Sequence, residues 1–210
     1  MTEIADMVGW VRALGGPGKR VILGLAGAPG SGKSTVGQLL TEQLGAEAVL
    51  VGMDGFHLAQ EELTRLGNAE RKGAPDTFDV LGYVNLLRRL RSRQERVVYA
   101  PRFNRDLEEP IAGAVPVPRE LPFVITEGNY LLLDAPEWSQ VSGLLDECWF
   151  VDPGEELRLD RLVARHIRHG RSPEQARERS YGSDQRNAEL VAFSRARASR
   201  VIRGVGRVET

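Results

Sequence analysis

The sequence predicts an α/β fold of three layers, in which a mainly parallel central sheet lies between helices and a helical lid covers one end. Three observations predict it. Continuous apolar runs of strand length, such as Val21-Ile22-Leu23-Gly24-Leu25-Ala26, suit strands buried on both faces. These runs alternate with helical segments, which implies parallel βαβ units. A glycine-rich turn joins the first run to the helix after it.

In chain order, residues 2–14 place Ile4, Met7, Val8, Val11 and Leu14 at helical spacing, and Gly15-Gly16-Pro17-Gly18 stops that helix. The first strand follows at 21–26. Helix is then expected over 33–44, strand over 48–53, helix over 80–93, and strands over 96–100, 122–126 and 148–151. Residues 55–77 have weak periodicity and read as an excursion from the core, of a length that is often functional. From 155 to 200 the chain is helical and arginine-rich, broken at Gly170 and Pro173. It reads as a lid, about 155–185, and a closing helix, with a short strand expected within 201–208. No internal repeat or low-complexity segment interrupts the pattern, so residues 1–210 are read as one domain.

Composition narrows the function classes. A content of 41% hydrophobic residues in 210 supports one sizeable core. Lysine and arginine number 28 against 29 acids, so the global basic field that drives nucleic-acid binding is lacking and a small-molecule partner is expected. One cysteine, Cys148, can form no internal disulfide, and a cytoplasmic protein is expected. No apolar run approaches the ~20 residues that span a bilayer, so no membrane partner is expected. A homodimer is compatible with the sequence.

The strongest local signal is Gly27-Ala28-Pro29-Gly30-Ser31-Gly32-Lys33-Ser34, a G-x-x-x-x-G-K-[ST] phosphate loop between a strand and a helix. Its glycines let backbone N–H groups wrap phosphate oxygens, and the helix opening at Lys33-Ser34-Thr35 turns its positive end toward them. Lys33 supplies charge to the β- and γ-phosphates, and Ser34 a hydroxyl for Mg²⁺. The cofactors expected are therefore ATP and Mg²⁺, in a P-loop NTPase fold. A dinucleotide site is the rival reading, but Lys33-Ser34 and the lack of a strict G-x-G-x-x-G order argue against it.

Ligands of open parallel sheets bind beyond the carboxyl ends of the strands, which directs attention to Asp54 and Glu127. Asp54 follows the run ending at Met53, and Glu127 the run ending at Thr126. Phosphoryl transfer to an alcohol needs a hydroxyl aimed in line, its proton accepted and the moving charge neutralised. Asp54 suits the first two tasks and Glu127 the holding of Mg²⁺, although the two roles can be exchanged. Asp152-Pro153-Gly154 reads as a turn.

Three further elements are recognisable together: Asp54-Gly55-Phe56-His57, Arg71-Lys72-Gly73-Ala74-Pro75-Asp76-Thr77-Phe78-Asp79, and Glu127-Gly128-Asn129-Tyr130-Leu131-Leu132-Leu133. With the phosphate loop, they make about residues 20–205 resemble the uridine kinase, phosphoribulokinase and bacterial pantothenate kinase group, including its small bacterial members labelled fructose-transport or nucleoside kinase-like. The resemblance implies an ATP-dependent phosphotransferase with Lys33, Asp54 and Glu127 as catalytic residues. The acceptor is then a sugar, nucleoside or pantothenate-like metabolite, bordered by Asp54, His57, Arg71, Lys72, Arg102 and Asn129, with Asp79 as a helix cap. Tyr99-Ala100-Pro101 departs from the Tyr-Ser-His element of pantothenate kinases, so the acceptor is left open.

In the lid, Arg161, Arg165 and Arg168 share a helical face, and the interval from Arg165 to Arg171 resembles the lid segment of the same group, which implicates Arg165 and Arg171 in holding phosphate. Arg102, Asn104 and Arg105 after a strand end can recognise an anionic or polyhydroxyl acceptor, and Asn187 can face the nucleotide. Cys148 and the tryptophans are expected to pack. Two alternatives are a regulatory NTPase and a non-catalytic nucleotide sensor. The first lacks an N-K-x-D guanine reader, and the intact Lys33, Ser34, Asp54 and Glu127 argue against the second.

Overall fold

The computed structural model describes residues 2–203. Its elements are α1 (Ile4–Leu14), β1 (Val21–Ala26), α2 (Lys33–Leu44), β2 (Ala48–Gly52), α3 (Gln60–Arg65), α4 (Val80–Ser92), β3 (Val97–Asn104), β4 (Glu109–Pro118), β5 (Phe123–Gly128), α5 (Ser139–Ser142), β6 (Glu147–Val151), α6 (Glu155–Arg168), α7 (Pro173–Tyr181), α8 (Ser183–Ala192) and β7 (Arg200–Ile202). Five strands form one sheet in the order β2-β5-β1-β6-β7, and every pairing in it is parallel.

Alternation along the strands divides the apolar residues between two cores. Val21, Leu23 and Leu25 of β1, with Ile125 and Trp149, pack against Met7 and Val11 of α1 and Val36, Leu40 and Leu44 of α2. Ile22, Val124, Cys148 and Phe150 face the other way, onto Tyr83, Leu87 and Leu90 of α4. A central strand such as β1 is apolar at successive positions because both of its faces are covered, whereas Arg200 and Val201 of the edge strand β7 are exposed. The three predicted layers follow directly. Trp149 and Trp138 are buried as packing residues, and burial pushes the Cys148 thiol up to about 12.

One predicted strand takes a different place. The run expected at 96–100 is β3, which lies outside the parallel sheet and pairs antiparallel with β4 in a two-stranded ribbon. Only a short connection separates Asn104 from Glu109, enough for a hairpin and too little for a parallel crossover. β4 carries Pro110, Pro116 and Pro118, which read as turn residues but are tolerated where one edge of a strand has no partner. The excursion 55–77 holds α3 and two 3₁₀ turns, Ala69–Arg71 and Pro75–Thr77, and His57 bridges back to Phe78. The closing strand is seen at Arg200–Ile202, while the rest of the expected 201–208 strand, from 204 on, lies outside the described residues.

Arg20 joins hairpin to sheet. It is 5% exposed, and its guanidinium donates to the carbonyls of Leu121 (2.9 Å), Leu90 (2.8 Å), Pro118 (2.5 Å) and Arg119 (3.0 Å). The end of α4, the end of β4 and the approach to β5 are thereby gathered at the start of β1. Removing the donor leaves the buried Leu90 carbonyl and three partly buried ones without this partner, and a buried carbonyl left unpaired costs about 1–3 kcal/mol. Arg20→Met is therefore expected to lower unfolding stability by about 3 kcal/mol or more, read as a lower urea midpoint at unchanged slope. A midpoint equal to wild type would remove this role.

Candidate active site

The phosphate loop leaves β1 at Ala26 and enters α2 at Lys33. Gly30 has φ 82° and Gly32 φ 91°, left-handed conformations that favour glycine. At Gly30 the space is also closed, since a Cβ would stand 2.6 Å from the Arg158 carbonyl oxygen. Two polar groups here await partners. Ser31 Oγ is buried without a hydrogen bond, and Lys33, only 9% exposed, makes no hydrogen bond or ion pair among the described residues. A loop of backbone N–H groups, an orphaned hydroxyl and a buried ammonium fits a polyphosphate.

Parallel register brings the acids to this loop. Glu127 of β5 pairs with Leu25 of β1 on one side and Gly52 of β2 on the other. Ser34 Oγ donates to Glu127 Oε1 at 3.1 Å. Asp54 follows β2 in the 3₁₀ turn Met53–Phe56. Behind them, Tyr83 OH meets Thr126 Oγ1 at 2.7 Å and that hydroxyl donates to the Val51 carbonyl at 2.7 Å, fastening β5 to β2 and α4.

Charge in the site is strongly coupled. Burial lowers the pKa of Lys33, while Glu127 and Asp54 work to keep it charged. Burial raises the pKa of Glu127 above the usual carboxylate range, against the pull of Lys33. Asp54 goes the other way: burial opposes its ionisation, but His57, Arg105, Lys33 and Arg165 outweigh it and hold the carboxyl below its ordinary value. Two carboxyls flanking one lysine are thus separated by their surroundings.

Arg105 Nη2 donates to Asp54 Oδ2 at 2.7 Å. His57 Nδ1 donates to the Asp54 carbonyl oxygen at 2.8 Å, and its ring lies 4.1 Å from that of Phe78 and 4.9 Å from that of Phe103. Lys72 Nζ and Arg105 Cζ stand 5.7 Å and 5.0 Å from the centre of the Phe103 ring. β3 passes so close that a Cβ on Gly55 would be 2.7 Å from the Pro101 carbonyl oxygen, which accounts for the glycine after Asp54. Asn129 Oδ1 is buried and unpartnered.

Lid residues reach both halves of the site. Arg165 lies close enough to Asp54 and Glu127 for their charges to act on it, and burial lowers its pKa. Arg161 Nη1 lies 3.1 Å from where a Gly32 Cβ would stand. Buried Arg158, which sequence reasoning missed, donates to the Pro29 carbonyl at 3.3 Å and bonds Gln185. Its helical spacing from Arg161 and Arg165 was the available signal. Arg179 Nη2 donates to the Lys72 carbonyl at 2.9 Å. Asn187, expected toward the nucleotide, donates instead to the Gly73 carbonyl at 3.4 Å, which also accepts from Tyr130 OH at 2.6 Å.

Other expected residues stand apart from this constellation. Arg71 pairs with Asp76 at 2.8 Å on the surface. Arg102 and Arg171 are exposed, with no side-chain hydrogen bond among the described residues, whereas Thr35 lies in the first turn of α2 beside the equally exposed Ser34. Of the cations near the hairpin, Arg105 rather than Arg102 reaches Asp54. Asp79 caps α4 by accepting from the Gly82 amide at 2.9 Å, and Asp152 accepts from the Gly154 amide as a turn residue. No group of three or more His, Cys, Asp or Glu side chains suited to a metal occurs among the described residues. Ser34 and Glu127 instead offer the few oxygens that suit an Mg²⁺ carried on substrate phosphates.

Comparison with known proteins gives the arrangement a context. Residues 22–187 match the model of the Phosphoribulokinase / Uridine kinase family. A Schizosaccharomyces pombe protein provisionally named a uridine kinase is 36% identical over 184 residues, 82% of this chain and 78% of that one. The ATP-dependent kinase-like protein notR' of Aspergillus versicolor is 33% identical over 161 residues, 72% of this chain and 94% of its own. A crystal structure from Silicibacter sp. TM1040, provisionally named a fructose transport system kinase, superposes with a TM-score of 0.88 at 36% identity, covering 96% of this chain and 99% of that one.

The raised pKa of Glu127 has a thermodynamic consequence. Its folded form favours the proton, so the stability this group contributes is full below the ordinary glutamate value, about 4.3, and is lost as pH rises through the raised value. Glu127→Gln keeps the shape and can still accept from Ser34. The variant is expected to melt above wild type at pH 8, with the difference shrinking toward about pH 4, in thermal scans without nucleotide. A variant that melts below wild type at pH 8 would contradict the assignment.

Proposed function

We propose, from the premise that this chain belongs to the Phosphoribulokinase / Uridine kinase family, that Asp54 is the base and Lys33, Ser34 and Glu127 are the phosphate-side machinery of a small-molecule kinase. The chain is an ATP-dependent phosphotransferase acting on a hydroxyl group. Its acceptor is a hydroxyl of a small metabolite of the sugar, nucleoside or pantothenate-like kind. The relatives' names point to different molecules, uridine in one and fructose transport in another, so the acceptor is a question for the site itself.

The observation that carries the reading is the cationic setting of Asp54, which Arg105 bonds at 2.7 Å and on which the charges of His57, Lys33 and Arg165 also act. Lys33 and the loop amides bind the terminal phosphates, and Arg161 and Arg165 add positive charge from the lid. Ser34 and Glu127 are the residues that would hold Mg²⁺, which would supply neutralising charge to the transferring phosphate.

Asp54 keeps one oxygen on Arg105 and leaves Oδ1 to orient the acceptor hydroxyl and take its proton as the new O–P bond forms and the bond from the γ-phosphorus to the bridging oxygen breaks, releasing ADP. Holding Asp54 ionised makes it a weak base. A loose transition state tolerates this because little charge builds on the attacking oxygen before transfer. Arg158 and Leu162 of α6 pack over Gly30 and cover that part of the loop.

Asp54→Asn preserves shape and removes the base. Turnover with a competent acceptor is expected to fall by about 10²–10⁴, while Mg·ADP affinity in calorimetry changes little. Undiminished transfer by the purified variant would refute the role of Asp54.

A further inference from the structure

We propose that the acceptor carries an anionic group, a phosphate monoester or a carboxylate, and that Lys72 and Arg105, on the face of Phe103 beside Asp54, are the residues that read it. This inference rests on the kinase reading above and narrows its acceptor, because free sugars and nucleosides are neutral.

The cations of the site differ in what they pack against, although the charge of Arg105 also acts on Lys33 and Arg165. Lys33, Arg161 and Arg165 serve the phosphate loop, and the polyphosphate uses their charge. Lys72 and Arg105 belong to another group: both lie against Phe103, and the His57 ring packs on the same phenyl ring at 4.9 Å. Lys72 Nζ donates only to neutral oxygens, Gln60 Oε1 at 3.2 Å and the Glu108 carbonyl at 2.6 Å, and forms no ion pair among the described residues. The neighbouring Glu109 uses Oε1 to accept the Gln60 amide. Arg105 spends one donor on Asp54, and the rest of its guanidinium fork makes no hydrogen bond among the described residues. An ammonium without an ion pair and a guanidinium with unused donors around one phenyl ring suit a ligand with oxyanion character.

The arrangement also states what the anion does. Arg105 can bond Asp54 and an anionic oxygen at once, which fixes the distance between the base and the acceptor's charged group and so selects which hydroxyl faces the γ-phosphate. Lys72 is held for the same task from behind. Arg179 of α7 grips its carbonyl, while Tyr130 and Asn187 grip that of Gly73.

The test separates the acceptor subsite from the nucleotide subsite. Full-length protein is saturated with Mg²⁺ and the non-hydrolysable analogue AMPPNP, which fills the phosphate loop, and is then titrated with inorganic phosphate or malonate by calorimetry. One of the two anions is expected to bind the loaded protein, at least tenfold more weakly in Lys72→Met and in Arg105→Met, with binding largely retained in Lys72→Arg. Circular dichroism checks that each variant is folded. Tighter binding of phosphate assigns a phosphate monoester, and tighter binding of malonate a carboxylate. Binding of neither anion to loaded wild type, or equal binding by the methionine variants, overturns the inference and leaves the kinase reading standing. Failure of Mg·AMPPNP itself to bind would overturn both.

Discussion

The placement of one buried ammonium, that of Lys33, organises this molecule. It opens α2 at a position only 9% exposed, where charge is costly unless compensated. Compensation comes from Glu127 and Asp54, supplied by two neighbouring strands of a parallel sheet. Neither acid is adjacent to Lys33 in sequence. Only the order β2-β5-β1 sets their strand ends side by side, and the hydrogen bonds of Thr126 to Val51 and Tyr83 keep those ends in register. The two packed cores above and below the sheet supply the rigidity that such a charge cluster requires.

From this centre the site divides into two halves of different construction. The phosphate half is mostly backbone, glycine and helix terminus, with lid arginines added above it. The acceptor half is built from side chains of distant segments: Asp54 and His57 from the turn after β2, Lys72 from the excursion, Phe103 and Arg105 from the hairpin. Arg179 and Asn187 cross from the lid helices to the carbonyls of Lys72 and Gly73, so lid and acceptor loop share hydrogen bonds. The backbone at Lys72 and Gly73 is thereby tied to α7 and α8.

The parallel sheet was legible because a strand covered on both faces must be apolar at successive positions, as in β1, and because phosphate chemistry demands glycines and Lys33-Ser34 at a set spacing. Those are local requirements written in consecutive residues. Asp54 and Glu127 were legible for a related reason, since strand ends of open sheets are where ligands lie. The hairpin was half legible. β3 carries a strand-like run, but β4 conceals itself behind three prolines, and nothing in either segment alone says that the two pair with each other rather than with the sheet.

The sequence by itself therefore determined the layered α/β fold, the phosphate loop and the two strand-end acids, because each depends on residue type and short-range spacing. Tertiary structure alone decided which cation meets Asp54, bringing Arg105 to it while Arg102 stays exposed, and it added Arg158 beneath the loop. It also decided that Asn187 holds the acceptor loop rather than facing the nucleotide. The physical reason is the same in each case. An arginine or amide is equally suited to solvent, to a carbonyl and to a carboxylate, and only the packing of distant segments settles which partner lies within reach.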